Sequence, residues 1–444
     1  MSTIRTTRFA EEQVVVRTER RINGAVSIYI FLWLLEGALR KWVPETASVL
    51  YVARDLIFAA SVLILMLGRS SRSGTARWFW PASLSILALA VVQIFLGIVS
   101  PTVAALGARS YLAPALFVAA VAVWGRPSTL RVVQRAVLIA VPFELALSML
   151  QAFSPARSWV NAQVGSDEAS FVNFGVVRPS GTFSAPAGLL TFVPLALAFT
   201  LEKFSARTGK STVLATVLTA ATFLIVALSG ARGVVLGVAV VVAAYAACAV
   251  AGWGRPKRLP LAPLLTLILV SGVAASVLFS SILSSFAQRF NDASRSENPL
   301  ARLLNQAVGF VDSPLTLLGT GPGSRSQVGI AAGSAFGWLE IDNDRWVAEL
   351  GLLGFVLALV RVVAFVWLVV LTVRRIGDGQ WLFALISASF LPTLFSGSLT
   401  QTPSAQAGAA VTIGLLLLCE RYRAPRVRGS VLRPQSAQQH AFSG

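Results

Sequence analysis

Apolar residues in this chain come in long, nearly unbroken runs. The three-and-four spacing of a soluble amphipathic helix is mostly missing, and so is the alternation of a half-buried strand. About twelve runs approach the roughly 20 residues that a helix needs to cross a hydrocarbon layer about 30 Å thick. They cover approximately 23–43, 48–67, 79–100, 103–124, 132–153, 184–202, 212–230, 233–252, 260–281, 346–373, 381–399 and 405–420. Gly107, Pro114, Pro186 and Pro194 interrupt the fourth and sixth. The first run closes on Arg40 and Lys41 with no small-residue cleavage site, so it reads as a span and not as a signal peptide. The pattern predicts an all-α fold, a polytopic membrane helix bundle of about 12 transmembrane helices.

Composition agrees. Hydrophobic residues make up 55% of the 444 and charged residues 13%, and mean hydropathy is +0.73. An ordinary soluble domain carries about 25% charged residues, so a water-soluble fold could not cover its own surface with these. The net charge of +18 invites a nucleic-acid reading, but its distribution argues against one. Placed on alternate loops, 24 of the 37 lysines and arginines fall on one side, from Arg5 and Arg8 through Arg126 and Arg131 to Arg426 and Arg428. By the positive-inside rule that side is cytoplasmic and both termini lie there. The expected organisation is a cytoplasmic segment 1–22, a transmembrane domain 23–420 and a disordered basic tail 421–444. Two long loops, about 154–183 and 282–345, fall on the extracytoplasmic side.

Cysteines 248 and 419 sit in predicted spans and the single histidine, His440, in the polar tail. Neither a disulfide, a thiolate metal site nor a Ser–His–Asp mechanism is expected, and no cofactor. In the second loop Asn298-Pro299 reads as a helix start. Leu300, Leu303, Leu304, Ala307, Val308 and Val311 then form one stripe, with Arg302, Asn305 and Gln306 opposite. This is either a surface helix on the membrane or a lid presenting Arg302. The Gly319, Gly321 and Gly323 triplet is either a plain turn or a loop that lets backbone approach an anion. Asp342, Arg345, Trp346 and Glu349 fall on one face of the helix entering the membrane, where Arg345 can pair with either acid. Glu36, Glu144 and Arg361 lie within spans and should face the bundle interior, in structural Glu–Arg pairs or in function. Arg40, Lys41, Arg54 and Asp55 surround the first outer loop.

Arg178-Pro-Ser-Gly-Thr-Phe followed by Pro186, Ser229-Gly-Ala-Arg-Gly, and Arg302 form the first part of a further pattern. Pro314…Leu318-Gly-Thr-Gly-Pro-Gly-Ser and Asn343…Glu349-Leu-Gly-Leu-Leu-Gly354 complete it. Over residues 170–360 the chain resembles the O-antigen ligase/polymerase superfamily of bacterial polysaccharide assembly. Glu36-Gly-Ala-Leu-Arg-Lys-Trp-Val-Pro44 and Arg54-Asp55 are similar to an exopolysaccharide-polymerase-like branch. Ligases of that superfamily carry a His-Asn pair before the Glu-x-Gly-x-x-Gly helix. Here Glu340 or Asp342-Asn343 occupies the region, which favours a polymerase over a ligase.

The resemblance implies glycan transfer from an undecaprenyl-pyrophosphate carrier to a hydroxyl on the outer face of the bacterial cytoplasmic membrane. It implies a metal-independent, inverting displacement, with a flippase and a chain-length regulator as partners. Arg178, Arg232, Arg302 and Arg325 would bind the pyrophosphate, since guanidiniums grip phosphate oxygens bidentately. Asp342, Asp344 or Glu349 would orient or deprotonate the acceptor. Arg345, Arg40 and Arg54 would support them. A secondary transporter is the rival reading, favoured by the span count and the buried ions.

Overall fold

A computed structural model of the chain describes residues 2–67, 79–164, 172–173, 176–204, 209–252, 265, 268, 272, 284, 299–339, 341–397, 399–400 and 402–422. Long helices dominate: α1 Ser2–Trp42, α2 Ala47–Leu67, α3 Phe79–Phe95, α4 Pro101–Trp124, α5 Pro127–Phe153, α6 Ala187–Lys203, α7 Gly209–Ser229 and α8 Arg232–Ala251. Short helices follow in the second loop, α9 Pro299–Val308 and α10 Gln327–Ala331, and then α11 Asp342–Leu350. The remaining helices are α12 Leu352–Gly377, α13 Trp381–Ser396 and α14 Pro403–Arg421. A hairpin of two-residue strands pairs Val172–Asn173 with Val176–Val177.

Eight of these helices carry segments long and apolar enough to cross a membrane, and Trp80–Phe95 and Trp381–Ser396 are shorter apolar helices. The protein is therefore a helical membrane protein. The expected run 346–373 is not one span, because the helix breaks at Gly351 with φ +58°. A Cβ there would stand 2.5 Å from the Thr316 carbonyl oxygen, so the chain turns where only glycine fits. The run 260–281 falls almost entirely outside the described residues, as does the tail beyond 422.

The bundle is built around α6, whose residues from Leu195 to Leu201 are all buried. It packs on α7, α8, α13 and α14, while α1 packs on α2 and α5, and α14 on α4. Small residues let these helices approach closely. Gly237 faces the Pro194 ring and Gly408 faces Thr191, each with a built Cβ closer than 3 Å. Pro194 is tolerated mid-helix because its neighbours shield the freed backbone from lipid. Aromatic rings fill the core, with Tyr29 between Phe58 and Phe117, and Trp33 against Phe183 and Phe192. The Trp33 indole N–H donates to the Ser404 carbonyl at 2.9 Å, which anchors the start of α14.

Candidate active site

Three polar clusters line the loops that join these helices, and two of them meet the turn preceding α14. In the first, Glu36 of α1 accepts from Arg40 at 3.1 Å and from Arg54 at 2.9 Å. Asp55 accepts from Arg54 and Arg109, both at 3.0 Å. Arg54 also donates to the Pro403 carbonyl at 2.9 Å and is 1% exposed. Arg40 and Arg109 both lie over the Tyr51 ring, at 4.9 and 3.9 Å. Arg40 and Arg54, expected in a supporting role, are held here by carboxylates of the bundle. Their charge is largely neutralised by Glu36 and Asp55, and Arg54 is walled in.

The second cluster holds the Arg178–Ser184 loop. The Glu144 carboxylate accepts the Thr182 backbone N–H at 3.1 Å and, in a short contact, the Thr182 hydroxyl. Lys41 donates to the Gly181 carbonyl at 2.7 Å and to Ser180 Oγ at 3.1 Å. Gln151 Oε1 accepts the backbone N–H groups of Ser180 and Gly181 at 3.0 and 2.9 Å. Gly181 turns with φ +59° against Glu144, and Gly37 lets α1 lie directly on the Thr182–Ser184 backbone. The loop is therefore clamped from α1 and α5 at once, and Arg178 leaves it beside a small polar recess formed by Lys41, Gln151, Asn161, Gln163, Ser180 and Ser184. Arg178 is held below its ordinary pKa by burial and by the charge of Arg232. Arg232 stands exposed at the first residue of α8, on a separate loop.

The third cluster surrounds α11. The Gly319, Gly321 and Gly323 triplet, all at positive φ, folds against Glu349, with the Gly323 N–H on its carboxylate and the Gly321 N–H on its backbone carbonyl. Glu349 accepts the Gly323 N–H at 2.9 Å, the Arg325 N–H at 3.0 Å and the Tyr111 hydroxyl at 2.7 Å. Its backbone carbonyl accepts from Gly321 at 3.0 Å and from the Gln93 amide at 3.0 Å. Gly107 of α4 sits flush on the loop, where a Cβ would meet the Pro322 carbonyl carbon at 2.1 Å. Glu349 is 1% exposed with both oxygens occupied. It acts as a structural buckle between the glycine loop, α4 and α11.

Asp342 is committed in the same way. It accepts the Leu399 and Thr400 N–H groups, both at 2.6 Å, and pairs with Arg345 at 3.0 Å. Arg345 in turn donates to the Thr400 carbonyl at 3.1 Å, so this pair fixes the 399–400 turn. Asn343, beside them, donates to the Gln306 carbonyl at 2.7 Å. Arg361 donates to the Leu394 and Phe395 carbonyls at 3.2 and 2.9 Å. It caps the end of α13 and pairs with no glutamate among the described residues.

Asp344 and Arg325 are placed differently. Both line a cavity of about 500 Å³, together with Gly309, Asp312, Ser313, Pro314, Thr316, Thr320, Leu339 and Ala348. Burial raises the pKa of Asp344, and Ser313 Oγ donates to its carboxylate at 3.4 Å. The Arg325 guanidinium lies 4.9 Å from the Phe336 ring, and its Nε is buried without a hydrogen-bond partner. Arg302 stands on α9; its side chain and Glu340 lie outside the described residues. Along the apolar stripe of α9, Ala307 is buried while Leu304 and Val308 are exposed.

No protein-family model matches the chain, and no curated protein matches it either. Among the described residues, no group of three or more His, Cys, Asp and Glu side chains could share a metal ion. Tyr111, Arg109, Gln93, Gln151 and Thr400 were not expected as parts of this region. Gln93 and Gln151 had a signal, being lone amides in apolar runs, where a polar side chain must find a partner. Tyr111 and Thr400 had none, because only the fold brings them to Glu349 and Arg345.

Proposed function

We propose that the chain is a membrane glycosyltransferase that polymerises undecaprenyl-pyrophosphate-linked oligosaccharide repeat units on the outer face of the bacterial cytoplasmic membrane. The observation that supports this reading is Arg178, half-buried beside a polar recess with its Nε unpartnered and its pKa lowered by burial and by the charge of Arg232 on another loop. A diphosphate matches guanidinium forks.

In the proposed reaction the acceptor hydroxyl oxygen attacks the anomeric carbon of the donor glycan. The new C–O bond forms as the bond from that carbon to the diphosphate oxygen breaks, and the electron pair leaves with undecaprenyl diphosphate. Arg178 and Arg232 stabilise the charge that develops on the departing oxygens. The hydroxyl proton passes to Asp344, the one expected carboxylate that lines a cavity and is not consumed by buried hydrogen bonds. A single displacement inverts the anomeric centre.

The transporter reading loses support because its candidate ions are occupied. Glu144 holds Thr182 and Arg361 holds carbonyls of α13. Purified protein in detergent, supplied with lipid-linked oligosaccharide, separates the readings. A ladder of lengthened glycans is the expected product, a single added step marks a ligase, and no lengthening removes the transferase reading.

A further inference from the structure

The cavity around Arg325 differs in charge from the Arg178–Arg232 pair. Among the described residues its lining has one cation, Arg325, and two carboxylates, Asp312 and Asp344. A diphosphate placed there would meet two carboxylates, the half-buried Asp344 and the exposed Asp312, whose like charge opposes it. The sequence-based assignment of Arg325 to the pyrophosphate therefore does not fit its surroundings.

The other lining groups favour a different chemistry. Ser313, Thr316 and Thr320 supply hydroxyls, and Pro314, Leu339 and Ala348 supply apolar surface. A sugar ring presents hydroxyls at its edge and C–H groups on its faces, so it can use both. The volume of about 500 Å³ falls inside the range of about 300–1,000 Å³ that small-ligand sites occupy. The walls are fixed in advance. The Arg325 N–H is held by Glu349, its carbonyl accepts from Leu339 at 3.1 Å, and Thr320 is tied to the Ala348 carbonyl. Such a site binds without first ordering its own loop.

We propose that this cavity binds an uncharged, hydroxyl-bearing glycan end, with Arg325 donating to sugar oxygens and Asp344 accepting from a sugar hydroxyl. It would be a carbohydrate subsite separate from the diphosphate clamp and selective against glycans that carry carboxylates. Only the name acceptor for that glycan rests on the glycosyl-transfer reading.

The test uses full-length protein in detergent and three probes. These are the repeat glycan released from its lipid and freed of phosphate, the same glycan with its primary hydroxyls oxidised to carboxylates, and inorganic pyrophosphate. By titration calorimetry the released glycan binds. Its oxidised form binds about tenfold or more weakly, and pyrophosphate does not displace it. Arg325→Met and Asp344→Asn each weaken glycan binding by about tenfold or more, roughly the loss of one charge-assisted hydrogen bond. Both variants leave pyrophosphate binding unchanged, and Asp344→Asn reduces the discrimination against the oxidised glycan. The proposal is overturned if pyrophosphate displaces the glycan, if Arg325→Met loses pyrophosphate instead, or if a glycan rich in carboxylates binds through Arg325. Glycan binding of this kind without any transfer leaves the cavity assignment standing and removes the transferase reading. Transfer that persists with unchanged acceptor KM in Arg325→Met removes the cavity assignment and leaves the transferase reading standing.

Discussion

Replacing Glu349 separates a structural buckle from a reacting base, because alanine and glutamine remove different numbers of contacts. The wild-type carboxylate takes Gly323 N–H and Tyr111 O–H on one oxygen and Arg325 N–H on the other. Each buried donor left without an acceptor costs about 1–3 kcal/mol. Alanine strips all three, a loss of roughly 3–9 kcal/mol if the penalties add. That is comparable with the roughly 5–15 kcal/mol that holds a typical domain folded. Glutamine keeps its carbonyl on the two-donor side and faces the Arg325 N–H with its amide, so it loses about 1–3 kcal/mol. Thermal unfolding in detergent, followed by tryptophan fluorescence and by protease resistance of residues 313–350, reads both. The order expected is wild type, then Gln, then Ala, with glycan binding through Arg325 falling in the same order. Equal stability of all three variants would refute the buckle. Intact stability and intact glycan binding in Glu349→Gln with complete loss of transfer would make Glu349 the base after all.

Gly107→Ala should lower the unfolding midpoint and glycan affinity together, because the new methyl meets the Pro322–Gly323 backbone at 2.1–2.2 Å, whereas Gly24→Ala, with nothing within 4 Å, should change neither. The pH profile of kcat/KM should show an acid limb above the ordinary aspartate value, since burial raises Asp344 and a base works only when ionised. Activity then falls as pH drops through the raised pKa, and the limb should disappear in Asp344→Asn; an unchanged limb would assign it to another group. Arg54→Met leaves Glu36 and Asp55 short of their shared cation and should destabilise by about 3–5 kcal/mol. Adding Glu36→Gln should recover part of that loss in thermal unfolding, and no recovery would mean that Arg54 acts through packing alone.

That the chain is a helical membrane protein was legible because the signal of apolar runs is cumulative, and twenty apolar residues in a row leave few alternatives. The α9 helix was legible locally, from the Asn298-Pro299 step and the spacing of its leucines. The break at Gly351 was not, because the apolar run continues through it and only the distant Thr316 backbone forbids a side chain there. The glycine triplet left a plain turn and an anion-approaching loop open, and nothing local says that the Gly323 N–H meets Glu349, reached only when α11 folds back. Arg40 had a legible partner in Glu36 one turn earlier. Arg54 was read as a rim cation, since its burial depends on α14 arriving with Pro403. Three carboxylates stayed equivalent along the chain, and three-dimensional packing distinguishes them. Asp342 and Glu349 are consumed by hydrogen bonds, and Asp344 lines open space.

The dissociation constant of inorganic pyrophosphate, measured on purified wild type, Arg178→Ala and Arg232→Ala, bears most directly on the diphosphate clamp. A charge-assisted hydrogen bond contributes about 1.5–3 kcal/mol, so each substitution should weaken binding by about 10- to 150-fold, with the protein still folded in the membrane. Affinities equal to wild type in both variants would contradict the account.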